Sequence, residues 1–86
     1  MPRLSQFYGI DVYMYYRDHA PPHFHAIYAG DDAAISITDG SLVDGNLPRR
    51  AMNLVQDWLA SHRNELDENW RRARTGRPLL AVPPLK

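Results

Sequence analysis

The feature that most constrains this chain is a change of hydrophobic period at Pro48. Before it, apolar residues alternate with polar ones. Ile10, Val12, Met14 and Tyr16 interleave with Asp11, Tyr13 and Tyr15, the pattern of a strand with one buried face. After it, Ala51, Leu54, Val55, Trp58, Leu59, His62, Leu66, Trp70 and Ala73 recur at helical spacing and form one broad stripe. A sheet with one apolar face and a helical region with one apolar stripe must bury those surfaces against each other. The expected fold is therefore α+β, an antiparallel meander of three to four strands packed on one face by one long or two consecutive C-terminal helices.

Turn chemistry sets the expected boundaries of a single domain over residues 1–86. Strands are expected at about 8–16, 23–29, 33–38 and 41–44, a helical region at about 48–75, and an extended tail over 77–86. Pro21 and Pro22 each fix φ and remove a backbone donor, so the stretch from Arg17 to Pro22 must turn. Gly30-Asp31-Asp32, Asp39-Gly40 and Asp44-Gly45-Asn46 mark the later turns. Pro48 suits the first turn of a helix, and Thr75-Gly76 followed by Pro78 ends it. Ser61 could cap a second helix starting at His62.

Composition narrows the function classes. The 86 residues contain no cysteine, which excludes a disulfide framework and a thiolate zinc site. The N-terminus has no long apolar run, so a cytoplasmic protein without a membrane span is expected. Formal net charge is zero, unlike a dedicated duplex-binding protein. That zero hides an asymmetry, for residues 1–48 carry two Arg against six Asp, while residues 49–86 carry seven Arg and one Lys against four acids. The basic half would suit an anionic partner, or be a solvated helix with intrahelical pairs such as Asp67–Arg71 and Glu68–Arg72.

Chemistry concentrates in Asp18-His19-Ala20-Pro21-Pro22-His23-Phe24-His25, which holds three of the four histidines. Residues two apart on a strand share a face, which sets His23 and His25 side by side, roughly 6–7 Å apart at Cα. Phe24, Ala26 and Tyr28 are expected to face the core, leaving His23, His25 and Ile27 on an open face with Asp11, Tyr13 and Tyr15. Three readings stay open. The histidines are polar turn and surface groups, or His19, His23 and His25, joined by Asp18, hold a divalent metal. In the third, they perform metal-free acid–base chemistry on a phosphodiester, with Arg17 steadying the phosphate and Asp18 beside the pair. On this last reading no cofactor is expected. His62 is expected to be a core histidine with a hydrogen-bond partner, or to approach His25 should the strand faces be reversed.

Taken together, Phe7-Tyr8-Gly9, Met14-Tyr15, Asp18 to His25, Tyr28, Gly45 to Arg50, and Trp58, His62, Glu65, Leu66 and Trp70 resemble a family of small bacterial proteins with a DHxPPHFH signature. That family is classed as a domain of unknown function. Its genes often neighbour a second small family in pairs that look like toxin–antitoxin modules. The resemblance therefore implies a small partner protein encoded nearby and a nucleic-acid target, RNA being the candidate. It carries over no catalytic residue. A non-enzymatic module docking its partner through a sheet edge or helical face is the alternative.

Overall fold

The computed structural model of the chain describes residues 3–86. Five antiparallel strands, β1 (Arg3–Phe7), β2 (Ile10–Tyr13), β3 (His23–Tyr28), β4 (Asp31–Ser36) and β5 (Leu42–Gly45), form one sheet in sequence order. One helix, α1 (Arg49–Arg74), covers one face. The α+β meander with a C-terminal helix is as the sequence implies, but it has five strands rather than three to four. The expected strand over 8–16 is in fact half of a hairpin: the chain turns at Tyr8-Gly9, and β1 lies before it. At the next hairpin Ala29-Gly30 makes the turn, so Asp31 and Asp32 open β4 instead of forming the turn.

The core lies between sheet and helix. Ile10, Val12, Phe24, Ala26, Ala33 and Ile35 meet Ala51, Val55, Trp58, Leu59 and Leu66, all buried. Trp58 is central, with its ring 5.3 Å from Phe7 and 5.7 Å from Phe24 between centroids. At Gly45 the backbone has φ +73, and an added Cβ would sit 2.1 Å from the Asp32 carbonyl oxygen, so only glycine lets β5 close onto β4 there.

The helix consists of two helical segments joined across a kink at His62, whose φ of −129 and ψ of 23 are not helical. The break thus falls one residue past Ser61. The His62 ring lies against Trp58, and its Nδ1 is 2.7 Å from Glu65 Oε1. This is the partnered histidine of the apolar stripe, facing the tail residues Pro83 to Lys86. It takes no part in the histidine cluster.

The tail after α1 is a strap without regular structure. Asn69, fully buried, donates from Nδ2 to the Leu80 carbonyl (2.9 Å) and accepts the Leu80 N–H (2.8 Å). Trp58 Nε1–H donates to the Pro83 carbonyl, and Val82 N–H donates to the Leu4 carbonyl, covering the outer edge of β1 at Leu4. Asn69→Ala removes both side-chain bonds and should cost about 1–2 kcal/mol, since each is worth about 1 kcal/mol net. A lower urea midpoint together with faster proteolysis within residues 77–86 is the expected result; an unchanged midpoint would show that Asn69 does not hold the strap.

Candidate metal centre

The strand register fixes which groups share the face opposite α1. Tyr13 pairs with His25, His25 with Ala34, and Ala34 with Asp44, so these side chains project together. His23, opposite Ser36, opens the same row. The parity expected for β3 is therefore what the structure has. His23 is nevertheless buried at 3 % exposure rather than open. Trp70, from the last turns of α1, brings its ring to 5.3 Å from the His23 ring, and the 18–22 loop covers the other side.

That loop places a carboxylate on the histidine pair. Asp18 Oδ2 lies 2.9 Å from His23 Nε2 and 3.3 Å from His25 Nε2. His23 Nδ1 lies 2.6 Å from the Pro21 carbonyl oxygen. One ligand atom from each of Asp18, His23 and His25 falls within 4.8 Å of the others, a set that could hold a metal ion. Ligands about 2.0–2.1 Å from a zinc ion stand roughly 3.3 Å apart in a tetrahedron, so the cluster has the right scale.

The neighbours tune charge. Burial works against the Asp18 charge, but hydrogen bonds from His25, the His19 backbone N–H and His23 outweigh it, holding the carboxyl below its ordinary range. The Tyr15 ring lies edge-on to His25 at 4.4 Å. Burial first, then the Asp32 and Asp18 carboxylates and Tyr13, push its phenol above the ordinary value, which keeps it neutral. Asp32 Oδ1 stands 4.0 Å from His25 Nδ1.

The other sequence candidates are placed differently. His19 sits at the rim with an 86 % exposed side chain, its Nδ1 3.0 Å from the second Asp18 oxygen, Oδ1. The compact set is thus Asp18, His23 and His25, all three among the expected ligands, with His19 outside it. Arg17 turns away: its backbone, at φ 56, donates to the Ala73 carbonyl, and its guanidinium lies beside Gly76 at the end of α1. Two groups the sequence reading did not assign to the site are Trp70, which roofs His23, and Asp32, opposite the far nitrogen of His25. Helical spacing had placed Trp70 in the core stripe, and no local signal marks either as part of the site.

Fold and site together define a small α+β domain in which two histidines of β3 and a carboxylate of the preceding loop meet beside the C-terminal end of α1. The chain belongs to the family described as domain of unknown function DUF4160, whose model matches residues 9–71 and so includes the whole cluster. No curated protein and no solved structure matches the chain. Among the described residues, no helix is long and apolar enough to cross a membrane.

Proposed function

We propose that Asp18, His23 and His25 bind a divalent cation, and that this centre acts on a nucleic-acid phosphodiester as one component of a toxin–antitoxin-like pair. The observation that carries the reading is the environment of His23. A carbonyl oxygen can only accept, so Nδ1 donates to Pro21; in a neutral ring Nε2 is then a lone pair aimed at Asp18 Oδ2, and in a protonated ring it is an N–H donor to that oxygen. Two acceptors 2.9 Å apart need a positive guest between them, a metal ion or a proton. A histidine whose second nitrogen is fixed by a backbone carbonyl is the usual setting of a metal ligand.

Charge favours the metal. Arg17 is turned to the helix end, and among the described residues only histidines pair with Asp18 and Asp32, which make the cluster electronegative. A phosphate would be repelled unless the site carries its own cation. Asp18, His23 and His25 would hold the ion, which, if bound, would lower the pKa of a bound water. His19, paired with Asp18 Oδ1 at the rim, presents an exposed ring to a substrate.

The metal-free acid–base reading is the second one, supported by the fact that 2.9 and 3.3 Å are also hydrogen-bond lengths. One experiment separates them. Purified chain is titrated calorimetrically with Zn²⁺ and with Mn²⁺, and cleavage of a short single-stranded RNA is followed with and without EDTA. About one equivalent bound by wild type, at least tenfold weaker binding in His25→Ala, and EDTA-sensitive cleavage are expected. Cleavage indifferent to EDTA would leave the histidine acid–base mechanism; absence of metal binding at near-neutral pH would remove the cation centre.

A further inference from the structure

We infer that the outer edge of β5 is a docking strand for an extended segment of a partner protein that carries alternating apolar and basic residues. This rests on the edge and its charge, not on the metal reading, although the cavity beside the edge shares His25 and Asp32 with the histidine cluster.

A five-stranded open sheet has two edges, and this molecule treats them differently. The β1 edge is covered by the tail at Leu4, whose carbonyl accepts the Val82 N–H at 2.9 Å, with Val82 itself buried. Among the described residues, β5 pairs with β4 alone. All four of its residues are exposed, and two are apolar, Leu42 at 44 % and Val43 at 39 %. Exposed edges are normally blunted with lysine, proline or a covering segment, because free N–H and C=O groups template another strand. β5 is blunted by its length of four residues, by Asp44 and by a register shift opposite Ala34 and Ile35, but among the described residues it carries no lysine or proline and no covering segment. It is also held firmly, since Gly45 seats the strand directly on the Asp32 backbone.

The charge around this edge selects the occupant. Residues 18–48 contain five Asp and no Lys or Arg. Asp31, Asp32, Asp39 and Asp44, all exposed, surround β4 and β5. Asp39 is kept ionised by its hydrogen bonds to Ser41. Asp32 and Asp44, with His25, Ala34 and Gly45, line a cavity of about 280 Å³ beside the edge. An incoming strand would add backbone hydrogen bonds to β5, cover Leu42 and Val43 with apolar side chains, and set a lysine or arginine against Asp44 and Asp32. A second copy adding its own β5 would bring the same aspartates together, and a nucleic acid would meet a field of its own sign.

Two eight-residue peptides test this, one alternating valine with lysine and the other valine with glutamate, each titrated into the ¹⁵N-labelled full chain. The lysine peptide should bind, with shifts confined to β5 and neighbouring β4 amides and an affinity that weakens as salt is raised. Binding should fall at least tenfold for the glutamate peptide and for the Leu42→Lys/Val43→Lys variant, whose changed side chains are exposed. Asp39→Asn/Asp44→Asn, which keeps the apolar surface, should weaken it several-fold. Equal binding of both peptides, shifts centred on α1, no binding, or a dimer of the chain through β5 would each overturn the proposal.

Discussion

Replacing Trp58 with alanine is expected to cost about 4 kcal/mol, within the roughly 3–5 kcal/mol seen when a buried large aromatic is truncated. The residue is fully buried and bridges helix, sheet and strap. Its ring packs on Phe7 of β1 and Phe24 of β3, and its indole N–H holds the Pro83 carbonyl of the strap at 2.8 Å. A domain of this size has roughly 5–10 kcal/mol of total stability, so the loss is a large share of it. With about 4–8 °C per kcal/mol for a small domain, the thermal midpoint should fall by roughly 15–30 °C. Trp58→Phe separates the contributions, because it keeps an aromatic filling the core and gives up only the indole bond and some volume; about 1–2 kcal/mol is expected. Circular dichroism melts of the two variants check both figures. If alanine costs no more than phenylalanine, the packing of Trp58 is not what joins helix, sheet and strap.

How much of this was legible in the sequence depends on the range of the physics involved. The alternation of Ile10, Val12 and Met14 and the stripe from Ala51 to Ala73 are local periodicities, and they gave the sheet, the helix and the face each presents. The first hairpin was missed because its turn is disguised. Tyr8 and Gly9 have φ values of 49 and 78, both positive, as in the two-residue turns that ordinarily use Asn-Gly or Asp-Gly. Ala29-Gly30, at 50 and 87, repeats the device, which is why Asp31 and Asp32 were read as turn rather than strand. Tyrosine and alanine give no warning of a left-handed residue. The histidine cluster itself was visible as a spacing, and strand parity placed His23 and His25 on one side. Its burial was not, since Trp70 comes from the far end of α1. The role of Arg17 failed for the same reason: its neighbours, Ala73 and Gly76, are brought in by the fold.

Asp18→Asn should be the most informative single change at the site, with at least a hundredfold loss of affinity for Zn²⁺ or Mn²⁺ and little change in stability. The side chain keeps its shape, but a neutral amide oxygen is a poor ligand for a hard or borderline cation, and the charge facing His23 and His25 is gone. The apo protein loses much less. An amide N–H can donate to the His23 Nε2 lone pair while Nδ1 continues to donate to Pro21, so a buried imidazole that required a positive guest becomes satisfied without one. Imidazole ¹⁵N shifts would report this directly, as a neutral His23 with its proton on Nδ1. Metal affinity should also weaken as pH falls, because ligating imidazoles must be deprotonated. The same variant discriminates between the two guests of the wild-type gap. If the gap belongs to a metal, wild type with one equivalent of Zn²⁺ shows His23 protonated on Nδ1 alone and a raised thermal midpoint, and Asp18→Asn shows no metal-dependent rise. If it belongs to a proton, wild type carries protons on both ring nitrogens whether or not metal is added, and neither protein is stabilised by Zn²⁺. That second outcome would return the site to histidine acid–base chemistry, with Asp18 as the group that positions both rings.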